Sequence, residues 1–247
     1  PHIGLIPLEW LSYPFTILWI AGLTNAINLV DGLDGLASGI SIIALATIGI
    51  VGYVASATGA VNLQVPLTIF ILLMSTLGFF PFNFYPAKIF LGDTGALFLG
   101  FLISVLSIQG LKNATMITLI TPLIILGVPL TDTIFAMIRR RLNNRPISSA
   151  DKMHLHHRLL SLGFTHRGAV LTIYCLAMIF SIIALLYMFA NTLATILLTI
   201  ACLFGLEIFI EMIGLTGVDK QPLLNGLKFI GNKAYRDQVK ANRKEKK

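Results

Sequence analysis

Charge is what this chain lacks: only 12% of its 247 residues are Asp, Glu, Lys or Arg, against 56% hydrophobic residues and a mean hydropathy of +0.85. Soluble domains carry about 25% charged residues, so a freely soluble protein is excluded. The chain reads as an integral membrane protein. Cysteine is nearly absent as well. Cys175 and Cys202 both fall in apolar runs, which excludes a disulfide framework and leaves two reduced, buried thiols acting as small hydrophobes. The chain opens on Pro1, and no basic stretch precedes a short cleavable apolar core, so no signal peptide is read. Strict alternation of polar and apolar residues is missing too, which argues against a membrane β-barrel.

Long continuous apolar runs are what remain. About 20 such residues cross the hydrocarbon core as a helix, and seven segments meet that length, near 13–30, 36–55, 65–81, 95–111, 116–138, 169–190 and 192–213. The last two, separated only around Asn191 and Thr192, are expected to form a tight hairpin. The fold class is therefore all-α, a polytopic membrane helical bundle. Residues 1–215 form its transmembrane domain and 216–247 a basic tail. With seven alternating spans, 17 of the 18 Lys and Arg residues fall on one side and only Lys112 on the other. By the positive-inside rule the basic side is cytoplasmic.

The few acidic and amide groups are not scattered. Asn25, Asn28, Asp31 and Asp34 follow one another at intervals of three at the end of the first span. A carboxylate near the bilayer centre costs roughly 2.5–3.5 kcal/mol, so such groups generally mark a site or a pathway. Positions 25, 28 and 31 form one drifting helical stripe, and Gly32 and Gly35 let the chain leave the helix beside Asp34. A second polar segment runs from Asn83 through Lys88 to Gly92-Asp93-Thr94-Gly95 at the cytoplasmic start of span four. There Asp93 suits a hard cation, and a helix N-terminus suits a phosphate. Asp93 would serve equally as a helix cap. The third segment is the long loop 139–168, where His154, His156, His157 and Arg158 form a dense donor cluster. Histidines so spaced could bind zinc, act as general bases or, with Arg158, clamp a diphosphate. The run Arg139 to Arg141 reads as a topology signal and an anchor for anionic lipid. All three polar segments share the cytoplasmic side.

Carboxylates for a divalent cation, a basic cluster for phosphate and a membrane boundary for an amphiphile together suit phosphoryl transfer, which needs positioning and charge neutralisation above all. The stretches TNAINLVDGLDGLASG from Thr24, KIFLGDTGALFLG from Lys88, PLTDT from Pro129 and HLHHRLL from His154 resemble the polyprenyl-phosphate N-acetylhexosamine-1-phosphate transferases, glycosyltransferase family 4. The His-Leu-His-His pattern looks like the branch that uses UDP-N-acetylglucosamine to start wall teichoic acid or O-antigen-type polymers. It looks less like the phospho-MurNAc-pentapeptide transferase branch.

The resemblance implies transfer of N-acetylglucosamine 1-phosphate from UDP-GlcNAc to undecaprenyl phosphate, with Mg²⁺ as cofactor and Mn²⁺ as an alternative. It implies a multi-pass protein of the bacterial cell membrane with its site on the cytoplasmic side. By motif position, Asp93 matches the metal ligand and Asn28 an amide near metal and phosphates. Asp31 and Asp34 match essential carboxylates; His154, His156 and His157 match the motif that engages the diphosphate. Asn25, Lys88, Asp132 and Arg158 match neighbouring substrate-side positions. Asp132, late in span five, needs a partner, for which one of Arg139 to Arg141 is expected. Membrane lipids are partners by the same reading, a second copy of the chain is a further candidate, and nucleic acid is not one.

The chain departs from the family in one respect. It contains no Asp-Asp pair, where the family carries one upstream of the TNAIN motif. Seven spans against the family's roughly eleven read as N-terminal truncation, and little turnover is expected of the chain as given. Glu207 and Glu211 are expected to be structural, paired with the basic tail. The rival from another class is an ion-coupled transporter lining a conduit with Asp31, Asp34 and Asp93; a third is a non-catalytic fragment that binds lipid phosphate.

Overall fold

The structure, a computed structural model, describes residues 9–57, 59–109, 122–142 and 154–213. Every regular element among them is helical. After a short 3-10 turn, Glu9–Leu11, come α1 (Ser12–Val30), α2 (Leu36–Ala57), α3 (Gln64–Asn83), α4 (Gly92–Gln109), α5 (Gly127–Leu142), α6 (Leu155–Ser161), α7 (His166–Tyr187) and α8 (Thr192–Ile213). Six of them, α1 to α4, α7 and α8, are long and apolar enough to cross a membrane. The protein is a polytopic membrane helical bundle.

The expected fifth span, 116–138, is met only in part: its start lies outside the described residues, and α5 runs on to Leu142 through the arginine run. Arginine is a good helix former, so a helix need not stop where its apolar segment does. The loop expected over 139–168 is likewise interrupted, because His156, His157 and Arg158 lie on α6. The tail, 216–247, lies outside the described residues.

Two compact units are present, Pro1–Leu198 and Thr199–Lys247, divided within α8. In the first, α1 packs on α4 and α5, α2 packs on α3 and α7, and α6 packs on α7. Its core gathers Leu23 and Ile27 of α1, Leu45 and Ile48 of α2, Ile69 and Leu73 of α3, Leu99 and Ile103 of α4, and Ala184 of α7. Hydrocarbon is as apolar as leucine, so close approach and hydrogen bonds hold such helices together. The α1–α4 crossing shows both. A Cβ at Gly100 would stand 2.9 Å from the Cα of Thr24, and the Trp19 indole donates to the Ser104 carbonyl at 3.3 Å and to Ser107 Oγ at 3.1 Å. The α2–α7 crossing is as tight, for a Cβ at Gly39 would collide with the Tyr174 ring.

Outward faces are apolar, with Ile17, Ile71 and Ile182 exposed, as a lipid-facing surface requires. Trp10 and Tyr13 stand exposed where α1 begins, a position that suits amphipathic rings at a membrane interface. The two cysteines are free, but they are not buried as expected: Cys175 is exposed and Cys202 half-buried. On a bundle surrounded by lipid a thiol need not enter the core to leave water. The turn between α7 and α8 is short, and Asn191 closes it, its Oδ1 accepting the Ala194 N–H at 2.8 Å. In the second unit, Glu211 is fully buried and Glu207 half-buried; the expected partners in the tail lie outside the described residues.

Candidate active site

The polar stripe closes α1. Val30 is its last residue, and Asp31 caps it, donating its backbone N–H to the Asn28 carbonyl at 3.1 Å. The stripe splits in function. Asn25 is exposed and turns its amide to the Ala21 carbonyl of its own helix at 2.7 Å. Asn28 is half-buried, and its Oδ1 is shut off from solvent with no hydrogen-bond donor among the described residues. A buried amide oxygen left without a donor is costly, and a cation would supply what is missing.

Beyond Val30 the chain turns sharply. Gly35, in the left-handed region at φ +78, reverses it into α2, and its carbonyl accepts the Tyr174 hydroxyl from α7. Asp34 faces the α3–α4 connection, where its Oδ2 accepts the Ala87 N–H at 3.0 Å. That connection is itself tightly folded. The Lys88 and Ile89 amides both donate to the Phe82 carbonyl, at 2.7 and 3.0 Å. Buried Asn83 spans from α2 to the loop, accepting from Ser38 Oγ at 2.6 Å and donating to the Ile89 carbonyl at 3.0 Å. Lys88 is left exposed. Gly92, at φ +64, then starts α4 and presents Asp93 exposed in its first turn.

Asp31 senses both neighbouring carboxylates. Burial first, then the negative charges of Asp93 and Asp34, push its carboxyl up to about 6. Three acidic groups from two segments of sequence therefore meet at one end of the bundle. Among the described residues no three His, Cys, Asp or Glu side chains are gathered closely enough to enclose a metal ion by themselves. Asp93, Asp31 and the vacant Asn28 oxygen instead fit an open site for a hard cation that completes its shell with water or phosphate oxygens.

The histidines arrive from the other side. His156 is buried, and its imidazole lies against Gly32: a Cβ there would collide with Nε2 and stand 2.5 Å from Cε1. Glycine at 32 is thus required for close approach, not for a special dihedral. The His156 ring is parallel to that of His154 at 6.0 Å and tilted against that of His157 at 4.2 Å. Burial, reinforced by the charges of His157 and His154 and opposed by Asp132, holds His156 down at about 4. It is therefore neutral at physiological pH. His157 is exposed and Arg158 half-buried.

Asp132 has described partners at the start of α6: Oδ2 faces His154 Nδ1 at 3.0 Å and Oδ1 accepts the Leu155 N–H at 2.9 Å. Of the arginine run expected to pair with it, the Arg139 side chain lies outside the described residues. The carboxylate is buried one and a half turns into α5, facing α6, whereas the arginines lie further along toward its C-terminus.

One group of residues had no role in the sequence reading. Tyr85 stacks on His166 at 4.3 Å and lies under the Arg167 guanidinium, which donates to the Tyr85 carbonyl at 3.2 Å. The start of α7 thereby grips the loop that carries Lys88. The signal available was Thr165-His166-Arg167 ahead of an apolar run; Thr165 does cap α7, accepting the Gly168 N–H at 3.1 Å.

Comparison with known proteins follows the same residues. The model of glycosyl transferase family 4 matches residues 1–111, which contain Asn28, Asp31, Asp34 and Asp93. A probable undecaprenyl-phosphate N-acetylglucosaminyl 1-phosphate transferase of Bacillus subtilis is 48% identical over 237 residues, covering 95% of this chain and 62% of the relative. An alignment of that extent takes in every candidate site residue from Asn25 to Arg158. A decaprenyl-phosphate N-acetylglucosaminephosphotransferase of Mycobacterium leprae is 35% identical over 188 residues, 70% of this chain and 47% of its own length. A phospho-N-acetylmuramoyl-pentapeptide-transferase of Staphylococcus saprophyticus is 34% identical over 183 residues, 73% and 53% respectively. The chain spans about three fifths of the Bacillus relative and about half of the other two. With the motifs of Thr24, Lys88 and His154 brought to one end of a helical membrane bundle, the chain belongs to glycosyl transferase family 4.

Proposed function

We propose that the protein contributes to transfer of N-acetylglucosamine 1-phosphate from UDP-GlcNAc to undecaprenyl phosphate, with release of UMP, at the cytoplasmic face of the membrane. In the net reaction an oxygen of the lipid phosphate bonds to the sugar-bearing phosphorus. The bond from that phosphorus to the bridging oxygen breaks, and UMP leaves with it. The observation that carries this reading is the meeting of Asp31, Asp34 and Asp93 at one bundle end, beside an imidazole seated on the Gly32 turn. The 48% identity to the Bacillus relative supports N-acetylglucosaminyl 1-phosphate as the transferred group and undecaprenyl phosphate as the acceptor.

Asp93 and Asn28 would hold Mg²⁺, with Asp31 beside them. The cation's chemistry is to neutralise phosphate charge and fix phosphate geometry. The other residues divide the remaining tasks. Asp34 holds the Lys88 loop through Ala87, which leaves the exposed Lys88 ammonium to meet phosphate. Neutral His156 offers hydrogen bonds without charge, while His157 and Arg158 suit the diphosphate. All of these groups stand at a bundle end rather than along a conduit through it, which favours a transferase over an ion-coupled transporter.

Donor binding is the direct test, because the sequence has no adjacent aspartate pair. The protein in lipid nanodiscs is expected to bind UDP-GlcNAc in the presence of Mg²⁺, and Asp93→Asn is expected to lose that binding. Binding unchanged by Asp93→Asn or by removal of Mg²⁺ would sink the reading. The Staphylococcus relative makes UDP-MurNAc-pentapeptide the alternative donor, and tighter binding of that nucleotide would move the assignment to it.

A further inference from the structure

Asp132 is only 4% exposed, on a helix whose neighbours are apolar. A buried carboxylate is tolerated when its lone pairs are filled, and both oxygens of Asp132 are filled by one short segment. Oδ1 takes the Leu155 N–H at 2.9 Å, and Oδ2 faces His154 Nδ1 at 3.0 Å. Helix α6 needs this, because its own N-cap residue, His154, makes no side-chain capping bond. Asp132 supplies the missing acceptor from another helix. We propose that Asp132 is a positioning residue that acts through His154, fixing its ring and its Nδ1–H tautomer, rather than a group that touches substrate. The proposal deepens the donor-binding role given above and rests on it.

The chemistry follows from the donor inventory. An ionised carboxylate only accepts, so a neutral imidazole at 3.0 Å must present its hydrogen at Nδ1 and keep a lone pair at Nε2. Position is passed on as well as tautomer. The His154 ring lies parallel to that of His156, and His156 abuts Gly32 between Asp31 and Asp34. Moving Asp132 thus moves the floor of the carboxylate turn without Asp132 contacting it.

Asp132→Asn discriminates. The asparagine carbonyl can still accept the Leu155 N–H, so α6 stays capped, but its NH₂ now donates to Nδ1 and forces the hydrogen to Nε2. The nitrogen NMR signals of the His154 ring, assigned by their loss in His154→Gln, are expected to report Nδ1–H in the parent protein in nanodiscs and Nε2–H in Asp132→Asn. UDP-GlcNAc affinity with Mg²⁺ is expected to fall about 10- to 100-fold in Asp132→Asn, by analogy with the loss of a group that orients a metal-ligating histidine. The double variant Asp132→Asn/His154→Gln is expected to bind no more weakly than His154→Gln alone. An unchanged tautomer in Asp132→Asn, or losses that add in the double variant, would overturn the proposal. Should Asp132→Asn fail to fold, Asp132→Glu keeps the acceptor character and is expected to retain the Nδ1–H signal; an Nε2–H signal there overturns it equally. If the parent protein binds no UDP-GlcNAc, the donor reading fails, and the ring-nitrogen signals still decide the role of Asp132.

Discussion

Replacing Gly32 by alanine adds one methyl group at the contact between the carboxylate turn and the histidine helix. The new Cβ would collide with His156 Nε2, lie 2.5 Å from Cε1 and 3.1 Å from Cδ2. Non-bonded heavy atoms are comfortable at about 3.5–4.0 Å, so the ring must retreat by about 1 Å. It has little freedom to do so, being 3% exposed and flanked by His154 and His157. Overpacking of this kind costs roughly 1–3 kcal/mol, which corresponds to about a 5- to 150-fold change in an equilibrium constant. We expect thermal unfolding in nanodiscs to register part of that loss. Mg²⁺-dependent UDP-GlcNAc binding should register the rest if, as proposed, the displaced ring belongs to the donor site. Gly22→Ala is the control, because a Cβ there meets nothing within 4 Å. A Gly32→Ala protein as stable and as tightly binding as Gly22→Ala would refute the contact between His156 and the turn.

Further expectations follow from the same geometry. Asp31, raised from an ordinary value of 3.8 to about 6 in the folded protein, keeps its proton more readily when folded than when unfolded. It therefore costs no stability below about pH 4, an increasing amount up to about pH 6, and a constant amount above. Asp31→Asn should thus melt higher than the parent at pH 7.5 and equally at pH 3.5, and a gap that does not vary with pH would contradict this. Gly100→Ala should destabilise by roughly 1–3 kcal/mol in thermal unfolding, because its Cβ would face the Thr24 backbone, 2.9 Å from Cα and 3.0 Å from the carbonyl oxygen, which cannot rotate away. Asp34→Ala should cost about 1–3 kcal/mol through the lost acceptor for the Ala87 N–H, measured by the same melts. Asp34→Asn, which keeps an acceptor oxygen, should cost less than half of that.

The helices were legible because hydropathy and length decide them in a bilayer. Ser12–Val30, Leu36–Ala57, Gln64–Asn83, His166–Tyr187 and Thr192–Ile213 each begin or end within about three residues of the apolar run that announced them. Their ends drifted where polar chemistry governs: α7 starts early because Thr165 caps it, and α5 overruns because arginine continues a helix. The site residues were legible as spaced carboxylates, amides and imidazoles, and the structure brings Asp31, Asp34, Asp93 and His156 to one end. Pairing was not legible. Asp132 finds His154 at a separation of 22 residues, and Tyr85 finds Arg167 at 82. Such contacts depend on which helices are neighbours, and apolar periodicity does not encode that when every outward face is apolar too.

Motif position treats the four carboxylates of the site alike, but their surroundings separate them. Asp132 has both oxygens occupied by α6, and Asp34 has one committed to the Ala87 amide. These two join segments distant in sequence, so their charge is spent within the protein. Asp31 and Asp93 have the opposite character. No described hydrogen bond to either side chain holds it, Asp93 is exposed, and Asp31 bears the repulsion of two neighbours. Like charges left together at a bundle end cost free energy that a bound cation would return. The vacant oxygen of Asn28, one helical turn before Asp31, offers that cation a third oxygen ligand. The two committed carboxylates build the frame, and on the proposed reading the two uncommitted ones, with Asn28, would be the part that meets a ligand.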